Sequence, residues 1–262
     1  MDKIRYEEML PHEIVARRKR FPAAFIGLGG LEWHGEHLGV GNDALKAERL
    51  CELAAERSGG FAFPTLWYGE PRTAGLMEVN HDEEGGIKRL MKFRKRKFST
   101  TYFGRTAEQQ IESYQQLLHH LLVQMNTLEM KAVCLLCGHY PIRTWALPVV
   151  KAFNRSCRDT QVFAGTEFHY PPRSKHVGID HAALWETSYL WHLRPECVDM
   201  SVYYGRKDKR LVGLMGIDPR NVASIEIGRK GCDIIVDAMV RRARALVAQA
   251  STGTKGATRR NS

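Results

Sequence analysis

Short apolar runs alternate along the chain with longer segments of helical periodicity. Four of these runs are typical of buried strands: residues 21–29, 61–68, 131–137 and 160–164. Apolar spacing and the order of charged residues predict six helices, at residues 6–20, 43–57, 106–128, 143–158, 179–194 and 232–250. Strands that alternate with helices predict an α/β fold, in which helices cover both faces of a mostly parallel sheet.

The rest of the chain includes one long irregular segment and a tail. Residues 70–105 contain many glycines and charges and are expected to form an excursion over a site. Residues 251–262 are polar and predict a disordered basic tail, which leaves residues 1–250 as a single α/β domain. A chain of 262 residues is long enough to bury the core of such a domain.

Composition and cysteine usage favour a cytoplasmic protein. No apolar run reaches about 18 residues, so no membrane-spanning helix is expected, and the charged N-terminus lacks the apolar segment of an export signal. The six cysteines are therefore expected to be free thiols. Cys134 and Cys137 form a C-x-x-C pair, but no second pair completes a zinc ribbon, so buried thiols are the favoured interpretation.

The net charge of +10 is concentrated in a few basic clusters. The longest runs from Lys88 to Lys97, and a second one runs from Arg17 to Arg20. No nucleic-acid-binding motif accompanies them, so a solvated surface is the favoured interpretation and a nucleic-acid partner is not expected. The alternative is that the stretch from Lys88 to Lys97 attracts an anionic substrate.

Acidic residues and histidines are concentrated in the glycine-rich loop after the first predicted strand. Glu32, His34, His37 and Asp43 all lie in this segment. Carboxylates and imidazoles together suit zinc, manganese or iron better than calcium, which prefers oxygen ligands alone. The alternative is a polar loop whose side chains are satisfied by backbone hydrogen bonds.

Two later segments carry further candidate groups. His139 follows the third predicted strand, where it would meet the first loop at the carboxyl edge of the sheet or serve as an ordinary loop residue. His181 and Glu186 lie about 500° apart on a helical wheel, so their joint use requires His181 to precede the helix or open it. Alternatively, Asp180 caps the helix and Glu186 is exposed.

Residues 27–43 resemble the opening motif of the creatininase family (creatinine amidohydrolases and relatives), which reads roughly G-S-x-E-x-H-G-x-H-L-P-x-x-T-D. Residues 137–140 resemble the N-G-H-x strand end of that family, and residues 181–188 resemble its H-A-G-x-x-E-T-S segment. The three segments occur in the family's order, and the resemblance to a divergent member extends over about residues 6–250.

The resemblance implies a three-layer α/β/α sandwich that holds one or two divalent metal ions per chain. Zinc or manganese would be expected, with iron as a further candidate. The implied metal ligands are Glu32, His34, Asp43 and His139, with Asp43 as the bridge. A metal-activated hydroxide would attack a carbonyl carbon of a small cyclic amide or a formamide, and His181 would carry the proton to the leaving nitrogen. A homo-oligomer, commonly a hexamer, is also implied.

The chain departs from the family pattern next to His139. Pro141 stands where creatininases of the G-H-Y-E-N type have a metal-binding glutamate, and proline has no ligating side chain. Other relatives complete the second metal with the glutamate of the E-T-S segment. Glu186 is therefore our candidate both for the missing ligand and for a second catalytic group beside His181.

The substrate pocket is expected to differ from that of creatininase. Ile142 and Cys137 stand where the family motif has asparagine, so creatininase activity itself is not expected. We expect three residues of the matching segments to contact the substrate: His37, Tyr140 and Trp185.

Two alternative functions stay open for the same fold. The metal-activated hydroxide could cleave a ring C–C bond in a sugar-like ketone. Pro141 and Ile142 also leave room for a catalytically impaired binding or assembly subunit, which would hold one metal or none.

Overall fold

The computed structural model of the chain describes residues 3–72, 76–94, 104–205 and 209–257. Within these residues, four strands form one parallel sheet: β1 Ala23–Leu28, β2 Phe61–Leu66, β3 Ala132–Cys137 and β4 Gln161–Gly165. The strand order is β2-β1-β3-β4, and every neighbouring pair is parallel. The four strands predicted from the apolar runs are thus confirmed.

Eight α-helices accompany the sheet in the described residues. They are α1 Pro11–Arg20, α2 Asn42–Ser58, α3 Met77–Asn80, α4 Gly86–Leu90, α5 Ala107–Thr127, α6 Tyr140–Ser156, α7 Leu184–Leu193 and α8 Ile225–Ala257. The two short helices α3 and α4 lie in the predicted excursion, of which residues 73–75 and 95–103 lie outside the described part.

Several helix boundaries differ from the predicted ones. The first predicted helix is a short 3-10 turn, Tyr6–Glu8, followed by α1, because Pro11 takes the first helical position and the Glu13 carboxylate caps the backbone N–H of Leu10. Helix α7 begins only at Leu184, since the Asp180 side chain accepts hydrogen bonds from the first helical N–H groups.

The last helix is longer than predicted at both ends. Helix α8 begins at Ile225, where the Ser224 hydroxyl accepts the N–H of Ile227. It continues to Ala257, so residues 251–257 of the expected tail are helical, in a stretch that contains no proline. Residues 258–262 lie outside the described part.

The helices pack in two layers, one on each face of the sheet. Ala23 and Phe25 of β1 belong to the core shared with α2, α7 and α8. Ala24, Ile26 and Leu28 belong to the core shared with α5 and α6. All these strand side chains are buried, as expected for a parallel sheet covered on both sides, and the three-layer α/β/α sandwich is confirmed.

The cysteines are free thiols, as predicted from the sequence. Cys134 packs in the core on the α2 and α8 side, whereas Cys137 packs on the α5 and α6 side. The two sulfurs of the C-x-x-C pair therefore lie on opposite faces of the sheet. Burial raises the pKa of Cys134 to about 12, so this thiol stays protonated and unreactive.

None of the described helices combines the length and the apolar character needed to cross a membrane.

Two glycines let the N-terminus of α2 approach the carboxyl ends of the central strands. A Cβ atom at Gly29, just after β1, would overlap the backbone of Ala44. A Cβ atom at Gly138, just after β3, would overlap the carbonyl oxygen of Asp43. This close packing brings the first turn of α2 between the loops that follow β1 and β3.

Replacing Gly138 with alanine tests this close approach. The added methyl group must push α2 away from β3, and overpacking of this kind typically costs about 1–3 kcal/mol. We expect the free energy of unfolding to fall by about 2 kcal/mol in urea denaturation. The matched control is Gly39→Ala, whose Cβ would meet its nearest atom only at 3.6 Å. An equal loss of stability in both variants would contradict the interpretation.

Candidate metal centre

The structure brings the five predicted metal ligands together at the carboxyl edge of the sheet. Glu32 and His34 lie in the loop after β1, and His139, two residues after the end of β3, is the N-cap of α6. Asp43 and Glu186 lie in the first turns of α2 and α7. All five side chains are buried.

The carboxylate of Asp43 lies between the two imidazoles. Its Oδ1 is 3.0 Å from Nε2 of His34, and its Oδ2 is 3.1 Å from Nδ1 of His139. A second carboxylate approaches each histidine. Oε2 of Glu32 is 3.0 Å from Nδ1 of His139, and Oε2 of Glu186 is 3.4 Å from Nε2 of His34.

Two compact ligand groups result, and they share Asp43. We call the group of Glu32, Asp43 and His139 the first metal position, and the group of His34, Asp43 and Glu186 the second metal position. In each group the potential ligand atoms all lie within 4.8 Å of one another. A third group of this kind consists of Glu32, His34 and His181.

The hydrogen-bond geometry of His34 fits a bound cation. Nδ1 of His34 lies 3.1 Å from the carbonyl oxygen of Glu32, which orients Nε2 towards the carboxylates. That buried Nε2 has no aligned hydrogen bond to any described residue, although Oδ1 of Asp43 is close. A nitrogen aimed at carboxylate oxygens without an aligned hydrogen bond is what a shared metal ion would require.

The electrostatics of the cluster also favour bound positive charge. Burial opposes the charged forms, but the pKa of His139 is raised to about 10 by Asp43 and Glu32. In the same way, Asp43 and Glu186 outweigh burial and raise the pKa of His34 well above its usual value. Burial is likewise outweighed at Glu186, where Lys46 and His34 lower the pKa to about 2. Glu186 thus holds its negative charge and attracts cations.

His181 precedes α7, which meets the condition for its joint use with Glu186. Its Nε2 lies 2.8 Å from the carbonyl oxygen of Trp33, and its backbone pairs with Met215. The ring lies 4.3 Å from that of His34, and Nδ1 is 4.0 Å from Oε2 of Glu32. His181 is therefore adjacent to the ligand groups and is more exposed than they are.

A cavity of about 400 Å³ opens onto this cluster. Residues from both metal positions line its floor, together with His181. Its walls include Tyr140, Pro141, Ile179 and Met215, so the cavity combines an acidic, imidazole-rich floor with largely apolar walls.

Comparison with known proteins gives one family match and several structural matches. The family model described as creatinine amidohydrolase matches residues 7–84. A solved manganese form of creatininase has a TM-score of 0.65 and 18% identity, covering 93% of this chain and 98% of that chain. A glutamate-to-glutamine mutant of creatininase of the Zn-Zn type has a TM-score of 0.67 and 17% identity, with 94% and 98% covered. A putative creatinine amidohydrolase from Bacteroides fragilis has a TM-score of 0.62 and 16% identity, with 94% and 97% covered. No curated protein matches the chain.

The family match includes the segment with Glu32, His34 and Asp43, and the structural matches cover more than nine-tenths of the chain. The resemblance to the creatininase family is confirmed. At identities of only 16–18%, what the chain shares with these solved structures is the creatininase fold.

The chain departs from the family motif at Pro141, and Glu186 supplies a potential ligand from another element. Pro141 lines the cavity but offers no ligand atom. Oε2 of Glu186 instead reaches the neighbourhood of His34, where it completes the second ligand group. The alternative in which Glu186 is an exposed helix residue is wrong, because its side chain is fully buried.

Of the three expected substrate contacts, only Tyr140 lines the cavity. His37 is enclosed instead, with Nε2 2.8 Å from Oγ1 of Thr187 and Nδ1 3.1 Å from the hydroxyl of Tyr203. Trp185 packs over Gly178 and against the core on the α8 side. His37 and Trp185 therefore pack behind the site in this structure and do not line the cavity.

Sequence reasoning missed two charged residues beside the centre, Lys46 and Glu167. Both are fully buried, and Nζ of Lys46 lies 2.5 Å from Oε1 of Glu167. Glu167 follows β4, so the rule that ligands collect at strand ends could have indicated it. Lys46 is the third residue after Asp43 on α2, which places it near the face of that helix that carries Asp43.

One residue of the basic stretch that begins at Lys88, Arg89, lies beside a neighbouring cavity. Arg89 lines a cavity of about 390 Å³ that shares Met77, His81 and Met215 with the cavity over the ligand groups. Lys88 lies 3.9 Å from Asp82. Lys95, Arg96 and Lys97 lie outside the described residues.

Replacing His37 with glutamine should reduce the acid sensitivity of the fold. Burial first, and then the charge of His34, lowers the pKa of His37 from 6.5 to about 4. A histidine with a lowered folded-state pKa protonates preferentially in the unfolded chain, so its contribution to stability is lost as the pH falls from 6.5 towards 4. Between pH 7 and 4.5, we expect the wild type to lose about 2 kcal/mol more than the variant in urea unfolding. An equal pH dependence of the two proteins would contradict this assignment.

Proposed function

We propose that this chain is a metal-dependent amidohydrolase that cleaves a non-peptide C–N bond in a small cyclic amide or a formamide. The observation that carries the proposal is the position of Asp43, whose two oxygens lie at 3.0 and 3.1 Å from two different histidines. A carboxylate shared in this way is suited to bridging two cations. The creatininase fold supports the same reading, since the relatives of that fold are amidohydrolases.

Two divalent ions fit the ligand groups. Glu32, Asp43 and His139 would hold the first, and His34, Asp43 and Glu186 would hold the second. The manganese and Zn-Zn forms among the similar structures favour manganese or zinc here. Such ions lower the pKa of water and polarise a carbonyl oxygen, which is the chemistry that hydrolysis of an amide needs.

The protein's own proton carrier is His181. Its Nε2 lies 2.8 Å from a carbonyl oxygen, which only accepts hydrogen bonds, so Nε2 carries the proton of the neutral ring. Nδ1 is then free to accept a proton beside Glu32 and to deliver it to a leaving nitrogen. The buried carboxylate of Glu186 would support this step as a ligand rather than as the proton carrier.

The cavity favours a small, neutral ring as the substrate. Its volume of about 400 Å³ suits a small molecule, and its described lining contains neither lysine nor arginine. Ile179 and Met215 would pack against the faces of such a ring, and Tyr140 would contact its edge. An anionic substrate, the alternative that the basic stretch suggested, would depend on the bound metal ions for its counter-charge.

The other features expected from the sequence belong to the same proposal. They are a single domain over residues 1–250, a cytoplasmic location, and a homo-oligomer that acts on a small molecule.

Metal titration tests the proposed ligand groups. After removal of metal with a chelator, we expect the protein to bind about two equivalents of Zn²⁺ or Mn²⁺ in isothermal titration. Asp43→Ala should lose both equivalents, because Asp43 belongs to both groups. The control, Asp237→Ala, removes an exposed aspartate of α8 and should bind like the wild type. Less than half an equivalent in the wild type would refute the metal centre.

Replacing His181 with glutamine tests its role as the proton carrier. Against a panel of cyclic amides and formamides, we expect turnover to fall about 10²- to 10⁴-fold, while the number of bound metal equivalents stays unchanged. Loss of metal along with activity would instead assign His181 to a ligand group. If the metal-loaded wild type cleaves no member of the panel, a binding or assembly role is favoured.

A further inference from the structure

A lysine is fully buried behind the second metal position. Lys46 lies on α2, one turn after Asp43, and its side chain has no exposed surface. Its Nζ lies 2.7 Å from Oε1 of Glu186 and 2.5 Å from Oε1 of Glu167, and 5.3 Å from the centre of the Tyr140 ring. A buried ammonium is unfavourable unless it is paired closely, and here two carboxylates pair with it.

The two carboxylate oxygens of Glu186 have different contacts. Oε1 accepts from Nζ of Lys46. Oε2 accepts the backbone N–H of Ala182 at 2.8 Å and lies 3.4 Å from Nε2 of His34. Only Oε2 therefore belongs to the ligand group with Asp43 and His34. A carboxylate held in this way would present one defined oxygen to a cation rather than rotate between two.

The lysine itself is held by the fold. The loop after β4 supplies Glu167, whose carboxylate is buried and pairs with Lys46 from the other side. Because Lys46 and Asp43 lie on one rigid helix, the same element sets the distance between the shared ligand and the group that orients Glu186. Glu167, Lys46 and Glu186 thus form a chain of charges from β4 to α7.

We propose that Lys46 is a positioning residue for the second metal position, acting through Glu186 and anchored by Glu167. Its ammonium holds the carboxylate of Glu186 in place as a metal ligand. Glu186 thereby replaces the ligand that is missing at Pro141. The inference rests on the proposed function, since it presupposes a metal at this position. The competing interpretation is a purely structural ion pair, which predicts a change in stability but not in metal affinity.

Cobalt titration into the metal-free protein tests the inference, with Co²⁺ absorption and isothermal titration as readouts. Lys46→Met alone leaves two buried carboxylates facing each other and risks misfolding. The informative variant is therefore K46M/E167Q, which removes the ammonium and one negative charge together and leaves Glu186 intact. Lys230→Met, an exposed lysine of α8 paired with Glu226, is the matched control. Thermal melts by circular dichroism record the stability of each protein.

We expect the wild type and Lys230→Met to bind two equivalents. In K46M/E167Q the second equivalent should bind about 10- to 100-fold more weakly, with an altered visible spectrum, while the first stays unchanged. Unchanged affinities for both equivalents, with or without a lower melting temperature, would overturn the role of Lys46 and leave the proposed function standing. A single equivalent in the wild type would overturn the second metal position and this inference with it. Failure of the wild type to bind any cobalt would instead refute the proposed function.

Discussion

Buried negative charge at the carboxyl edge of the sheet is the constraint around which this end of the molecule is built. Glu32, Asp43, Glu167 and Glu186 are all removed from solvent within a small region. Carboxylates in such surroundings must be matched by positive charge, because their desolvation is otherwise prohibitive. Within the described residues, the imidazoles of His34 and His139 and the ammonium of Lys46 supply that charge. A bound cation would neutralise the charge of these buried carboxylates in the same way as the positive side chains do.

The fold meets this constraint with helix N-termini and glycines. Asp43 and Glu186 lie in the first turns of α2 and α7, where the helix dipole favours a negative side chain. Gly29 and Gly138 remove the side chains that would keep α2 away from the strand ends. The ligand groups consequently depend on backbone packing as much as on the ligands themselves. A change that moves α2 by a fraction of an ångström acts on both metal positions, since Asp43 belongs to both.

The strands and the long helices could be predicted from the sequence because the apolar runs and helical spacings are strong local signals. The convergence of Glu32, His34, Asp43 and His139 followed from their places after parallel strands and from the family motif. The position of Lys46 could not be predicted in this way, since a lysine in an amphipathic helix normally points to solvent. Its burial is stabilised by the ion pairs with Glu167 and Glu186. Trp185 was expected to contact the substrate but does not line the cavity. Its neighbour Glu186 turns towards the site, whereas the half-buried indole one position earlier packs against the core on the α8 side.

With Pro141 after β3, the potential metal ligand and the cavity wall come from different elements. The family motif implies a metal-binding glutamate at this position, whereas here Glu186 of α7 lies in the ligand group and Pro141 forms part of the cavity wall. Moving the ligand to another element leaves the charge balance around His34 and Asp43 intact, because Lys46 and the helix terminus hold Glu186 in place. The wall meanwhile becomes apolar. A chain that diverges in this way can keep the ligand groups while the lining of the cavity changes, which fits a creatininase fold retained at 16–18% identity.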